Sequence, residues 1–321
     1  MFEKIENFIS NHALIERDNK IVVGLSGGPD SVFLLYYLAS LQQTHAINLI
    51  AAHLNHEWRP EADQEQQDCQ MLAQELNIPF VAAKRSELSA TFKHNGSQEE
   101  YGRKMRRYFL EKVLHEHNAD SIALAHHAQD QEETFFIRLI RGSSLTGLTA
   151  MKQKNGLYIR PLLETDKTEI LDWLSTNNIP YVTDKSNNST DYLRNRIRLN
   201  VLPALRTCDE RFETNFLTTL NRLKTTELFL ERLTKKTFEE ISFTENNQRI
   251  INITQFLITD NALHYRILLH WFITENVSFP TTQAFFDEII RFLSTPNGGQ
   301  HALHEQWSLV KKQKNAFLMK N

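Results

Sequence analysis

The sequence has no long apolar run and very few cysteines. Nowhere do about 18 consecutive apolar residues occur, which is the length that a membrane-spanning helix needs. Residues 1–20 also lack the apolar core of a signal peptide. The two cysteines, Cys69 and Cys208, form no CxxC pair, which disfavours a structural zinc or iron–sulfur site and is typical of a reducing compartment. We therefore expect a cytoplasmic protein without a membrane partner.

An excess of positive charge is also missing. The 36 lysines and arginines are balanced by 39 aspartates and glutamates, which gives a formal net charge of −3. Bulk charge therefore does not predict nucleic-acid binding, so only a local basic patch can support it. The length of 321 residues is enough for two domains, because domains commonly contain about 100–200 residues.

The first half of the chain alternates short apolar runs with helical patterns. The runs predict buried strands, and the longer stretches with apolar residues at helical spacing predict helices. This alternation predicts the α/β class, with a doubly wound parallel sheet covered by helices on both faces. The predicted strands are 21–25, 47–56, 78–83 and 121–126, and the predicted helices are 31–41, 61–77, 99–117 and 130–142.

The pattern changes after about residue 200. Long helical patterns cover 213–241, 262–274 and 282–294, and a Pro-Asn-Gly-Gly turn at 296–299 predicts a short terminal hairpin. We expect a catalytic domain over residues 1–205 and a smaller, mostly helical domain over residues 206–321.

A glycine-rich stretch, VVGLSGGPDS at 22–31, follows the first predicted strand. It fits the GxSxG nucleophile elbow with Ser26 as nucleophile, but no earlier strand is available to build a hydrolase sheet beside it. No lysine follows the glycines, so it is not a Walker loop, and Ser26 breaks the GxGxxG fingerprint. A simple tight turn would explain the glycines but not the two serines and the aspartate together.

A phosphate site explains more of this stretch. Gly27 and Gly28 allow close backbone approach, and Pro29 suits the first turn of a helix, whose N-terminus attracts anions. Asp30 is out of place for an anion alone, but it fits if Mg²⁺ accompanies the phosphates. Hydroxyl donors come from Ser26 and Ser31.

Several segments of the sequence resemble those of a known family. SGGPDS resembles the PP-loop SGGxDS of the N-type ATP pyrophosphatases, which implies a Rossmann-like fold and cleavage of ATP between its α and β phosphates. Further segments, in the same order, resemble the tRNA(Ile)-lysidine synthetase family. They are HLNHEWRP (53–60), SQEEYGRKMRRYFL (97–110), AHHAQDQEET…GL (125–148), IRPLL (159–163) and TDKSNNSTDYLRNRIRLNVLPAL (183–205).

The resemblance implies a reaction and its partners. ATP would adenylate the wobble cytidine of a tRNA(Ile) with a CAU anticodon, and free L-lysine would then displace AMP to form lysidine, so that the tRNA reads AUA. The cofactors would be ATP, as substrate, and Mg²⁺. The sequence leaves open whether the chain forms a homodimer.

The same resemblance assigns roles to particular residues. The implied catalytic residues are Asp30, which would also hold Mg²⁺, Asp130 and Arg103. The implied ATP-binding residues are Ser26, Gly27, Gly28, Pro29, Asp30, Ser31, His53 and His126. The implied tRNA- or base-binding residues are Arg103, Arg107, Glu133, Arg194 and Arg198. Arg103 and Arg107 lie four residues apart and so share one helix face, as do Arg194 and Arg198.

Two positions depart from the family pattern. Gln129 stands where the family usually has the first of two aspartates, and Gly102 stands where it usually has alanine. The glutamine keeps open a catalytically impaired tRNA-binding homologue, and another PP-loop tRNA-modifying adenylating enzyme is a further alternative. His53, His56, His126 and His127 form only a weak zinc pattern, because no cysteine accompanies them.

Overall fold

A computed structural model of the chain describes residues 1–89, 98–149, 151–182 and 192–321, without the side chain of residue 99. Parts of two motifs, residues 183–191 and the start of 97–110 with the Glu99 side chain, therefore lie outside the described residues.

The described residues separate into two compact units, an N-terminal unit (1–217) and a C-terminal unit (218–321). The division falls within the helix Phe212–Ile241, and the boundary predicted at 205/206 stays a prediction. Within the described part of the chain, no helix is both long enough and apolar enough to cross a membrane.

A six-stranded sheet forms the middle of the N-terminal unit. Its strands are β1 (Lys20–Gly24), β2 (Asn48–Asn55), β3 (Phe80–Lys84), β4 (Ser121–Ala123), β5 (Lys154–Asn155) and β6 (Tyr158–Ile159). They lie in the order β3-β2-β1-β4-β6-β5, and all neighbours pair in parallel except β5, which is antiparallel to β6. The central position of β1 explains why Ile21, Val22 and Val23 are fully buried.

Helices cover both faces of this sheet. Because side chains alternate along a strand, Ile21 and Val23 join a core with Phe33, whereas Val22 joins another core with Met105. The predicted α/β class is therefore confirmed. The helices are α1 (Phe2–Asn11), α2 (Pro29–His45), α3 (Ala62–Glu75), α4 (Gln98–Glu116), α5 (Ala128–Ile140), α6 (Leu145–Leu148), α7 (Lys167–Thr176), α8 (Leu193–Arg196) and α9 (Leu202–Cys208), with a 3₁₀ turn Arg85–Glu87 and a π-helical turn Ile197–Val201.

The C-terminal unit combines helices with an antiparallel sheet. Its core contains Trp271, Phe272 and Phe286, all fully buried. The predicted helices are present, but the predicted hairpin is only part of a five-stranded sheet, in which β7 is polar and largely exposed and so gave no apolar alternation in the sequence. The elements are α10 (Phe212–Ile241), β7 (Ser242–Glu245), β8 (Gln248–Asn252), α11 (Ile253–Ile258), α12 (Asn261–Thr274), α13 (Gln283–Ser294), β9 (Gly299–His304), β10 (Trp307–Lys312) and β11 (Asn315–Lys320), with sheet order β7-β8-β11-β10-β9.

Candidate active site

The glycine-rich loop between β1 and α2 is a turn closed by serine hydroxyls. The Ser31 hydroxyl donates to the Gly28 carbonyl at 2.9 Å, accepts from the Ser26 backbone N–H at 3.1 Å and lies 3.1 Å from the Ser26 hydroxyl. Gly27 has a φ of +80°, in the left-handed region that favours glycine. The partner of the Ser26 hydroxyl is thus another serine rather than a histidine, which does not favour the nucleophile interpretation.

The N-terminus of α2 is suited to an anion. Gly28 is the N-cap and Pro29 the first helical residue, so the cap has no side chain to satisfy the first-turn N–H groups, and the proline has no N–H at all. A helix end of this kind offers backbone donors and a partial positive charge to a phosphate. The loop and the helix start therefore have the local geometry of a phosphate site.

Two carboxylates, from the first turns of α2 and α5, approach one histidine beside the glycine-rich loop. Asp30 Oδ2 lies 3.7 Å from His127 Nε2, and Asp130 Oδ2 lies 3.5 Å from the same nitrogen. Asp130 also accepts the His127 backbone N–H at 3.0 Å. Burial raises the pKa of Asp130, but the neighbouring His127, His126 and Arg194 outweigh burial and lower it to about 2. Asp130 is therefore ionised throughout the neutral range.

The Asp30 carboxylate has a partner that the sequence motifs do not include. The Lys167 ammonium, at the start of α7, donates to both Asp30 oxygens at 2.9 and 3.1 Å. Lys167 is separated from Asp30 by 137 positions, so this ion pair depends on the fold. The side chain of Lys167 is 36% exposed, which leaves its ammonium within reach of a bound ligand.

The histidines near the strand ends are held in their neutral form. His53 Nδ1 lies 3.0 Å from the Leu25 carbonyl, and burial lowers the pKa of His53. Burial lowers the pKa of His126 to about 4 and, together with Arg106, lowers that of His56 to about 3. Among the described residues, the buried Nδ1 atoms of His56 and His126 have no hydrogen-bond partner, and no three His, Cys, Asp or Glu side chains converge as metal ligands.

We expect the stability of the fold to fall below pH 6.5 because of His126. Its folded-state pKa of about 4 lies below the unfolded value, so the unfolded chain takes up the proton first as the pH drops. This contribution is fully present above pH 6.5 and is lost between pH 6.5 and 4, by about 3 kcal/mol in all. Urea unfolding of the wild type and His126→Gln across this range measures it, with exposed His115→Gln as the control. If the free energy of unfolding of His126→Gln falls with pH as steeply as that of the wild type, the assignment to His126 is contradicted.

Arginines beside α4 form a basic cluster, which we define as Arg103, Arg107, Arg138 and Arg160. Burial and then the Arg103 charge lower the pKa values of Arg138 and Arg160, and Arg107 adds to the effect on Arg160. The two arginines predicted to act together, Arg103 and Arg107, have different surroundings. Arg107 donates to Glu111 at 2.9 Å and lies 4.9 Å above the Tyr158 ring. Arg103 is exposed, and the cluster concentrates positive charge on a chain whose net charge is negative.

The predicted tRNA-binding residues Glu133, Arg194 and Arg198 are paired with one another. Glu133 is 1% exposed and accepts from Arg194 Nε at 2.7 Å and from Arg198 Nε and Nη2 at 2.5 and 3.1 Å. The two arginines do share one side, as their spacing predicts, but that side faces α5. A contact of these three residues with tRNA stays a prediction, and in this structure they join α8 and the π-helical turn to α5.

The unusual Gly102 is explained by Trp58. A Cβ atom at position 102 would lie 2.3 Å from Cη2 of the Trp58 ring, well inside van der Waals contact. The Trp58 ring also stacks on His56, with ring centroids 4.4 Å apart and an interplanar angle of 17°. The glycine therefore makes room for an aromatic pair at the carboxyl end of β2.

We expect Gly102→Ala to destabilise the fold and its effect to reverse when Trp58 is removed. Overpacking costs about 1–3 kcal/mol, and the roughly 1 kcal/mol of helix propensity that alanine adds offsets part of this. In a Trp58→Ala background only the propensity remains, so the same change should stabilise by about 1 kcal/mol. Chemical unfolding of the four proteins of this cycle measures the coupling. Equal effects in both backgrounds would rule out the contact.

Sequence reasoning missed Lys167, Asp166 and the structural role of Arg206. Lys167 was detectable, because Asp166-x-x-Glu169 before an apolar residue is a capping box that marks a helix start, and the structure has it. Arg206 donates to the buried Glu132 at 2.6 Å and to Glu213 at 2.5 Å. No local pattern signals that pairing, since Glu132 lies 74 positions away.

Comparisons with known proteins agree with the motifs. The family model described as "PP-loop domain" matches residues 1–205. A bifunctional protein TilS/HprT of Listeria innocua is 34% identical over 270 residues, which are 83% of this chain and 42% of that protein. A tRNA(Ile)-lysidine synthase of Clostridium perfringens is 35% identical over 263 residues, or 80% of this chain and 55% of that protein. The chain spans about half the length of these relatives, and the predicted resemblance is confirmed.

A solved structure agrees with the predicted N-type ATP pyrophosphatase fold. It is the U34-tRNA thiolase NcsA from Methanococcus maripaludis with its [4Fe-4S] cluster, which matches with a TM-score of 0.59 over 69% of this chain and 78% of that chain. The sequences are 18% identical, so the likeness concerns the fold alone.

Proposed function

The chain belongs to the PP-loop domain family, and on that premise we propose that it is an ATP-dependent ligase joining L-lysine to the wobble cytidine of CAU-anticodon tRNA(Ile). The observation that carries the proposal is the meeting of Asp30 and Asp130 at His127 beside the phosphate-type loop. A tRNA(Ile)-lysidine synthase of Bacillus cereus is similar over 92% of this chain, a span that must include all three residues.

The loop and the start of α2 would hold the phosphates of ATP. Backbone N–H groups at Gly27, Gly28 and the first turn of α2 are the donors that a leaving pyrophosphate needs. The hydroxyls of Ser26 and Ser31 lie 3.1 Å apart and close the turn. Preorganised donors of this kind lower the barrier by stabilising the charge that develops in the transition state.

Mg²⁺ fits this site, and we propose that Asp30 would hold it together with the phosphates of ATP. Its carboxylate lies in the first turn of α2 beside the phosphate-type loop and supplies the hard oxygen ligands that Mg²⁺ takes, usually one or two carboxylates with substrate phosphates. The cation would neutralise charge on the transferring phosphate. Release of Asp30 from the Lys167 ammonium would accompany its binding.

The cytidine and the lysine amine would be oriented by Asp130 and the basic cluster. A carboxylate whose pKa lies at about 2 accepts hydrogen bonds but is a weak base. We therefore assign Asp130 to holding an amino group rather than removing its proton. Arg103 and its cluster neighbours would contact the α phosphate and the anticodon backbone, where unstacked bases are open to recognition. The C-terminal unit would add a tRNA contact, in the cytoplasm where tRNA is found.

Product analysis tests this function. With CAU-anticodon tRNA(Ile) and without lysine, we expect release of about one pyrophosphate per tRNA and no release of AMP. The reason is that AMP leaves the adenylated tRNA only when the lysine amine attacks it. Adding lysine should release AMP. Formation of ADP, or AMP release that ignores lysine, would contradict the proposal, and the second result would favour another adenylating PP-loop enzyme.

A thiolase function is disfavoured by the cysteines. Four thiolates commonly hold a [4Fe–4S] cluster, whereas these 321 residues include two cysteines. Burial raises the pKa of the Cys69 thiol to about 12, so it is an unreactive packing residue behind the loop, 3.3 Å from where a Gly27 Cβ would lie.

A further inference from the structure

Lys167 lies beside the N-terminus of α2, where a cationic side chain could bind a phosphate group. Its ammonium contacts both oxygens of Asp30, the second residue of α2, and is therefore next to the helix end that suits an anion. This ion pair is only partly buried, at 36% and 24% exposure for Lys167 and Asp30. Ion pairs with this much solvent contact are weak, so stability alone does not account for the placement.

The backbone around Lys167 is held in place by Gln129. The Gln129 side-chain oxygen accepts from the Lys167 backbone N–H at 3.1 Å, and its amide nitrogen donates to Asp166 Oδ2 at 2.5 Å. The other Asp166 oxygen caps α7 by accepting from Thr168 N at 2.7 Å. A further bond from Ala128 N to Thr165 O at 3.0 Å joins the starts of α5 and α7.

Glutamine is the residue type that this position requires. Its amide gives one donor to the Asp166 carboxylate and one acceptor to the Lys167 N–H at the same time. An aspartate at position 129 would lose the donor and set a second negative charge against Asp166, whose pKa hydrogen bonds from Thr168 and Gln129 already hold below its usual value despite burial. The glutamine at position 129, where the family usually has an aspartate, therefore complements Asp166.

We propose that Lys167 is a pyrophosphate-binding residue of the loop site, and that Gln129 and Asp166 are the positioning residues that aim it. When the phosphates of ATP enter, the ammonium leaves Asp30 and donates to a β- or γ-phosphate oxygen, which frees the Asp30 carboxylate. The inference rests on the proposed function for ATP as the ligand. Lys167 would thus be a phosphate contact outside the glycine-rich loop, and Gln129 would position it.

Binding of inorganic pyrophosphate to the full chain tests the lysine. By calorimetry, Lys167→Met should weaken pyrophosphate binding on the order of 10- to 100-fold, because a charge-assisted hydrogen bond is lost. AMP binding should change less than about twofold, since AMP carries neither the β nor the γ phosphate. Lys167→Arg should restore part of the affinity. The matched control is Lys4→Met, whose ammonium lies 3.8 Å from Glu169 on the same helix.

Unchanged pyrophosphate affinity in Lys167→Met would overturn the proposal, as would a wild type that binds no pyrophosphate. Failure of the proposed ligase function looks different. In that case the wild type binds ATP and pyrophosphate, and Lys167→Met weakens both, but no lysine reaches the tRNA.

A charge exchange tests the positioning pair. Gln129→Asp should weaken pyrophosphate binding several-fold and leave AMP binding unchanged, and the double variant Gln129→Asp with Asp166→Asn should recover the affinity by restoring one donor and one carboxylate. Loss of AMP and pyrophosphate binding together would indicate general damage and would overturn the positioning role. Increased activity in Gln129→Asp would instead support the impaired-homologue alternative.

Discussion

Asp30→Ala should reduce tRNA-dependent pyrophosphate release from ATP by at least about 10²-fold, while the affinity for tRNA changes less than about twofold. The variant removes the carboxylate assigned to Mg²⁺, and a lost charge contact of this kind at a phosphoryl-transfer site costs several kcal/mol of transition-state stabilisation. It also frees the Lys167 ammonium, which Asp30 otherwise holds at 2.9 Å. Binding of metal-free pyrophosphate should therefore be maintained or tightened even as turnover is lost.

Single-turnover release of labelled pyrophosphate, with tRNA affinity measured by filter binding, separates these effects. The exposed Asp172 on α7 supplies the matched control, since Asp172→Ala removes an acid nearby in the fold without touching the loop. An equal loss of tRNA affinity and turnover in Asp30→Ala would contradict its assignment to the phosphates.

Glu133→Ala should destabilise the N-terminal unit by about 3–5 kcal/mol. The Glu133 carboxylate is 1% exposed and is bonded to two guanidinium groups. Removing one partner of a buried ion pair leaves uncompensated charge, which is far more costly than losing a surface pair. Chemical unfolding monitored by circular dichroism gives the change in free energy.

The exposed pair Lys112–Glu116 provides the comparison for this prediction. Its glutamate is 55% and its lysine 50% exposed, so Glu116→Ala should cost less than about 1 kcal/mol. If Glu133→Ala costs no more than Glu116→Ala, then the two arginines have other partners in solution, and their assignment to tRNA becomes the better one.

The elements with strong periodicity were predictable from the sequence. β1 to β4 and helices α2 to α5 lie within a few residues of their predicted bounds, because buried strands are continuous apolar runs and the helices carry apolar residues at helical spacing. β5 and β6 have two residues each, too few to show any period. β7 is largely exposed and shows no apolar alternation, so the sequence predicted only part of the sheet in the C-terminal unit.

The candidate site was predictable in its local parts and not in its pairings. Residues 26–31 indicated a phosphate loop from glycine, proline and hydroxyl chemistry alone. Helical spacing placed Arg194 and Arg198 on one side, but spacing does not say what lies opposite, and the structure puts the buried Glu133 there. The Lys167–Asp30 pair and the Gln129–Asp166 pair join distant segments, so only the fold brings them together.

Transfer of lysine to tRNA tests the central claim most directly. The protein is incubated with ATP, radiolabelled L-lysine and tRNA(Ile) carrying a CAU anticodon, alongside the same tRNA with uridine in place of the wobble cytidine. We expect about one lysine per CAU tRNA, dependent on ATP, and none on the uridine-containing tRNA. Absence of label on the CAU tRNA by a protein that binds ATP, or equal labelling of both tRNAs, would contradict the account.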